Sequence, residues 1–260
     1  MPKFSANLSM LFPERPFLER FAAAAEAGFR AVEYVQPYEH PAEQIAEILH
    51  KHKLFQCLFN MPPGNWVAGE RGIACHPDRV GEFQDGVAKV IHYAKALGCP
   101  KVNCLAGVKP AGVPREQAMN VLAGNLRFAA AELQKAGVLL VVEPINCYDM
   151  PGFFLNTSAQ GIAAIDAAGS GNIKLQYDLY HMQRMEGELA ETLTRLMPRI
   201  GHIQFAGNPK RTEPDRGEIN YPFLLELIDR LGYTGWIGAE YKPTGRTEDG
   251  LCWLKKWSTE

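Results

Sequence analysis

Four short apolar runs in the second half of the chain each end in a side chain that can ligate a cation or carry a proton. Val138-Leu-Leu-Val-Val runs into Glu143, Ile173-Lys-Leu-Gln-Tyr into Asp178, Ile200-Gly-His-Ile into Gln204, and Trp236-Ile-Gly-Ala into Glu240. Three acids gathered at the rim of an apolar sheet repel one another unless a cation stands between them. Three carboxylates and a neutral amide oxygen make an all-oxygen donor set, which suits Mg²⁺ or Mn²⁺ better than zinc or copper. A solvated acid opening a loop would explain any one of them alone, but four neighbouring strand ends argue for one shared metal site.

Other groups fall near this set. His181 follows Asp178 within one helical turn, where its imidazole can orient a ligand carbonyl or hydroxyl. His202, two residues before Gln204, shares that strand face and suits packing in the interior as well as substrate contact. Arg211 lies in the cation-rich segment after the seventh strand, and its guanidinium fork matches the two oxygens of a small acid's carboxylate. Lys242 and Glu70 are further substrate-binding candidates, the first just beyond Glu240 and the second in a long Gly- and Pro-rich loop.

Positioning such groups requires a parallel sheet whose strands all end on one side. The chain supplies eight β-type runs, Phe4 to Leu8, Ala31 to Tyr34, Leu54 to Phe59, Lys101 to Leu105, Val138 to Glu143, Ile173 to Asp178, Ile200 to Phe205 and Trp236 to Glu240. Amphipathic segments alternate with them: 16–27, 41–52, 79–97, 115–136, 157–168, 188–197, 222–231 and 249–257. Five are closed by Gly28, Gly98, Gly137, Gly169 and Gly232, the residue type that favours the left-handed end of a helix. Eight strand-then-helix units predict a closed (β/α)8 TIM barrel, with an open doubly wound sheet as the alternative. No Gly-rich phosphate-binding loop follows the first strand, which favours the barrel. The connection 60–73, with Trp66 and Ile73, is too long for a minimal turn and reads as an ordered lid.

The 260 residues carry 27 Lys and Arg against 29 Asp and Glu, and no linker or low-complexity tract divides them, so one domain over 1–260 is expected. Charge this balanced, with no basic block, argues against nucleic acid as a partner. No apolar stretch approaches the roughly 18 residues that cross a membrane, and a cytoplasmic protein with six reduced cysteines is expected. The C-terminal Trp253-Leu-Lys-Lys-Trp257 would seal the barrel or, in a homo-oligomer, meet a second copy; sealing is the favoured reading.

Phe4-Ser-Ala-Asn-Leu-Ser-Met-Leu-Phe12, Ala68-Gly-Glu-Arg-Gly-Ile73, Glu143-Pro-Ile-Asn146, Tyr177-Asp-Leu-Tyr-His-Met-Gln183, Gly217-Glu-Ile-Asn-Tyr221 and Glu240-Tyr-Lys-Pro243 together resemble the hydroxypyruvate isomerase family of xylose isomerase-like TIM barrels, over essentially the whole chain. The resemblance implies a metal held by Glu143, Asp178, Gln204 and Glu240, with the two glutamates as the proton-transferring pair. It also implies interconversion of hydroxypyruvate and 2-hydroxy-3-oxopropanoate through an enediolate. Glu240 is placed as the first base and Glu143 as its partner, an order that strand ends alone do not fix. Gln204-Phe-Ala-Gly207-Asn-Pro is similar instead to 2-oxo-tetronate isomerases, so that activity is one alternative. Epimerisation of a free ketose at C3 is another, disfavoured because the related epimerases usually carry His where Gln204 stands. A metal-dependent DNA phosphodiesterase would want more strand-end histidines and a basic face, and a catalytically silent binding protein would not need intact carboxylates.

Overall fold

In the computed structural model, which describes residues 2–258, eight parallel strands close a barrel in sequence order. β1 (Lys3–Asn7) precedes α1 (Arg20–Glu26), β2 (Ala31–Tyr34) precedes α2 (Ala42–His52), β3 (Phe55–Asn60) precedes α3 (Val80–Leu97), and β4 (Lys101–Cys104) precedes α4 (Arg115–Lys135). β5 (Leu139–Val142) leads to α5 (Ser158–Ala168), β6 (Ile173–Asp178) to α6 (Leu179–Met185) and α7 (Leu189–Leu196), β7 (Ile200–Phe205) to α8 (Tyr221–Arg230), and β8 (Trp236–Ala239) to α9 (Cys252–Trp257). Each helix lays an apolar stripe on the sheet, as Ala42, Ile45 and Leu49 do from α2. Gly98 (φ 60°) and Gly169 (φ 65°) end α3 and α5 in the left-handed conformation expected of them.

Two of the differences from the sequence expectation bear on the site. β5 stops at Val142 and β8 at Ala239, so Glu143 and Glu240 are the first residues beyond their strands. After Glu143 the chain continues into Pro144, which has no N–H to extend the ladder. The segment after β6 is an extra short helix, α6, which begins without a loop because Asp178 caps it. Asp178 Oδ1 accepts the backbone N–H of Tyr180 at 2.8 Å and that of His181 at 3.4 Å.

The barrel lumen is polar at its centre. Ser5, Asn7, Glu33, Asn103, Gln176, His202 and Gln204 are all buried. Room for the Glu33 carboxylate comes from Gly238, on the strand two places round the barrel. A Cβ at Gly238 would stand 2.3 Å from Glu33 Oε1. Outside the sheet, Trp253 of α9 is fully buried, with its ring edge-on to Phe4 at 5.3 Å and Phe205 at 5.2 Å, so the C-terminal helix does seal the barrel wall. All six cysteines are free thiols, and four of them are buried. Among the described residues no helix is long and apolar enough to cross a membrane.

Candidate active site

The C-terminal ends of β5, β6 and β8 and the helix α6 bring Glu143, Asp178, His181 and Glu240 together, all buried. One ligating atom each from Glu143, Asp178 and His181 lies within 4.8 Å of the others. His181 Nε2 stands 3.5 Å from Asp178 Oδ2 and 3.8 Å from Glu143 Oε1. Asn103, at the end of β4, donates from Nδ2 to Glu143 Oε2 at 2.9 Å and fixes that carboxylate.

Arg211 enters this cluster from the loop after β7. Its Nη2 donates to Glu240 Oε2 at 2.9 Å and lies 3.5 Å from Asp178 Oδ2. The residue takes a left-handed backbone (φ 54°), and its carbonyl accepts the Lys242 N–H at 2.7 Å, which ties the β7 loop to the β8 loop. The guanidinium thus sets a cation beside Asp178 and Glu240, at the place where the sequence argument expects a divalent metal.

Gln204 lies level with Asp178 across the β6–β7 ladder. Its Nε2 donates to Glu33 Oε1 at 2.7 Å, and its Oε1 accepts from Gln176 Nε2 at 2.6 Å. Glu33 also accepts from Ser5 Oγ at 2.9 Å and Asn7 Nδ2 at 3.2 Å and meets His202 Nε2 at 2.9 Å. His202 is therefore an interior partner of Glu33, and Lys101 Nζ lies 3.2 Å from its other ring nitrogen. Glu33, Asn103, Gln176 and Asn146 were not singled out by the sequence. Asn146 alone carried a signal, as the last residue of Glu143-Pro-Ile-Asn.

Burial sets the electrostatics. It pushes the Glu143 carboxyl well above the usual range, with Glu240 and Asp178 pushing the same way. Burial takes Glu240 up to about 8, against the opposing pull of Arg211, and takes Asp178 up to about 6. Burial, then Arg211 and Arg184, hold His181 well below the usual imidazole range. Glu33 goes the other way. Burial would raise it, but His202, Gln204 and Ser5 together outweigh that and hold it below the ordinary value.

Such a site fits a divalent cation. The acids are held at a cost that positive charge relieves, Asp178 Oδ2 has no hydrogen-bond partner, and Gln204 Oε1 keeps a second lone pair beyond the one Gln176 uses. Two sequence candidates lie outside the cluster. The Lys242 side chain is exposed, and Glu70 pairs with Arg79 and accepts the Asn65 N–H within the lid. Within the 60–73 connection Ile73 is buried and the Arg71 guanidinium lies 3.9 Å from the Trp66 ring centroid.

Comparison with known proteins bears on the family and the fold. Residues 21–257 match the xylose isomerase-like TIM barrel family model. The chain is 53% identical to hydroxypyruvate isomerase of Escherichia coli (strain K12) over 98% of both chains. It is 48% identical to 2-oxo-tetronate isomerase of Cupriavidus necator over 99% of both. A crystal structure titled AP endonuclease, family 2, from Brucella melitensis superposes with a TM-score of 0.97 at 43% identity, covering both chains entirely. L-ribulose 3-epimerase, at 22% identity and a TM-score of 0.77 over 100% of this chain and 88% of that one, shares the fold.

Proposed function

We propose that this chain, which belongs to the xylose isomerase-like TIM barrel family, is an isomerase of small hydroxy-oxo acids that interconverts hydroxypyruvate and 2-hydroxy-3-oxopropanoate. The observation that carries the reading is the convergence of two buried glutamates, both with carboxyls pushed up by burial, on a site that also holds a guanidinium. A carboxyl whose affinity for protons is poised near the working pH can both take a proton from carbon and give one back.

Glu240 removes the proton from C3 of hydroxypyruvate, the electron pair forms the C2–C3 double bond of an enediolate, and the C2 carbonyl oxygen takes up the charge. Glu143 delivers a proton to C2 while the proton on the C3 oxygen passes to the C2 oxygen, leaving an aldehyde at C3. Atoms and electrons balance without an external oxidant. Arg211 grips the substrate carboxylate, His181 meets a substrate oxygen, and the 60–73 lid keeps water from the enediolate. Glu143, Asp178, Gln204 and Glu240 would hold Mg²⁺ or Mn²⁺, which when bound supplies Lewis-acid stabilisation of the charge developing on the substrate oxygens.

The test is to strip the protein with chelator, restore Mg²⁺ or Mn²⁺, and follow hydroxypyruvate by NMR in deuterated water beside 2-oxo-tetronate and free ketoses. Metal-dependent appearance of the semialdehyde with deuterium at C2 is expected. Turnover confined to 2-oxo-tetronate or to ketoses would reject the substrate, and turnover untouched by chelation would reject the metal.

A further inference from the structure

We propose that Asn146 fixes the tautomer of His181, so that Nε2 carries the ring proton and, with Arg211, presents two converging N–H donors to one oxygen of an anionic ligand. That the ligand is the hydroxy-oxo acid substrate rests on the reading above.

The amide of Asn146 has only one possible orientation. Its Oδ1 accepts the backbone N–H groups of Tyr148 at 3.1 Å and Asp149 at 2.8 Å, and its Nδ2 donates to Asp149 Oδ2 at 3.2 Å. A backbone N–H only donates and a carboxylate only accepts, so exchanging the two ends of the amide would break all three contacts. Asp149 is itself held by Arg184 Nη1 at 2.7 Å and by the Tyr180 hydroxyl at 2.9 Å.

The same Asn146 Nδ2 lies 2.6 Å from His181 Nδ1. Asn146 Nδ2 and Arg211 Nη2 can both only donate, and a neutral imidazole accepts at one nitrogen alone; the contact to Nδ1 is the shorter, and the Asp178 and Glu143 carboxylates stand 3.5 and 3.8 Å from Nε2, so Nδ1 bears the lone pair, whereas an imidazolium would leave neither donor an acceptor. The ring is thus neutral with its proton on Nε2. Arg211 Nη2, which can only donate, lies 3.2 Å from that same Nε2. Two donors facing each other make no bond, and an oxygen with two lone pairs reaching both of them satisfies the pair. An Nε2 that carries hydrogen also has no lone pair for a cation. His181 therefore stands outside the metal set despite its closeness to Glu143 and Asp178, and the hydrogen bond to Asn146 decides this.

Long-range ¹H–¹⁵N spectra of the whole chain labelled at histidine, with His181→Gln to identify the resonance, read the tautomer directly. A pyridine-like Nδ1 and a pyrrole-like Nε2 are expected, unchanged by added Mg²⁺. Hydrogen on Nδ1, hydrogen on both nitrogens, or loss of the Nε2 hydrogen on adding Mg²⁺ would overturn the proposal. Asn146→Asp replaces the donor with an acceptor, so the ring hydrogen should move to Nδ1 and glycolate binding to the Mg²⁺-loaded protein should weaken by about ten- to a hundredfold. Asn146→Ala should give a mixture of the two tautomers. Either folded variant with a wild-type ring spectrum would remove Asn146 from the role, and if Asn146→Asp does not fold, Asn146→Ala decides. The expected tautomer without hydroxypyruvate turnover would sink only the functional reading, whereas turnover with the opposite tautomer would sink only this one.

Discussion

Arg211 donates to Glu240 at 2.9 Å from within the same group of acids that would hold a metal. The guanidinium and a divalent cation compete for the same negative charge, so Arg211 supports the metal-free barrel and must yield some of its contacts when a metal enters. The pair is not a strong net source of stability, because burying either charge is costly, but removing one partner leaves the others uncompensated.

Arg211→Met is therefore expected to cost the metal-free protein about 3 kcal/mol and to lose most of that deficit on addition of Mg²⁺. Urea unfolding with and without the ion measures both. A variant equally destabilised in both states would show that Arg211 acts only through packing.

The raised carboxyls give the metal-free protein a pH dependence of definite sign. Glu240, at about 8 when folded against an ordinary 4.5, binds a proton in the folded state that the unfolded chain has already released, and Glu143 is displaced the same way. Below about pH 6.5 the neutral buried histidines, His181 and His202, oppose this trend, since the unfolded chain protonates them first. Between about pH 6.5 and pH 8 the opposing histidine contribution fades while that of the acids persists, and stability should fall as pH rises through the upper part of that window. Melting temperatures across it, repeated with saturating Mg²⁺, should show the fall flattened by the ion. A rise with pH in the chelated protein would refute the assignment.

Gly238 and Glu33 give a third test, one that does not depend on the metal. Gly238→Ala would put a methyl group 2.3 Å from Glu33 Oε1, driving the carboxylate off Ser5, His202 and Gln204. A loss of about 2–3 kcal/mol in denaturant unfolding is expected. Glu33→Gln combined with Gly238→Ala should cost less than the sum of the two single changes, because both disturb the same contacts.

The strand ends were legible because each is a short β-branched or apolar run that breaks at an acid or amide, and a parallel barrel leaves only one rim for them. Asp178 and Glu240 needed nothing more. Glu33 was not legible. An acid in a four-residue strand reads locally as a solvated position, and the groups that make it a buried anion come from Ser5, 28 residues away, and Gln204, 171 away. The short helix α6 escaped for a related reason: its seven residues show too few turns to reveal a period, and its start depends on the Asp178 cap. Glu70 shows the converse, since its place in the long Gly- and Pro-rich loop made it a binding candidate, while in the structure it pairs with Arg79, a near neighbour in sequence.

The seating of Trp253 against Phe4 and Phe205 ties the order of synthesis to the order of folding. β1 is made first yet pairs with β8, and the aromatic ring that covers both it and β7 arrives only with the last helix. A nascent chain that has completed seven strands still exposes the open edge of β1 and two phenylalanines, Phe4 and Phe205, that the Trp253 ring will cover. Closing the barrel therefore waits on β8, and covering its wall at β1 and β7 waits on the Trp253 ring, so residues far from the acid cluster complete the shell that holds it.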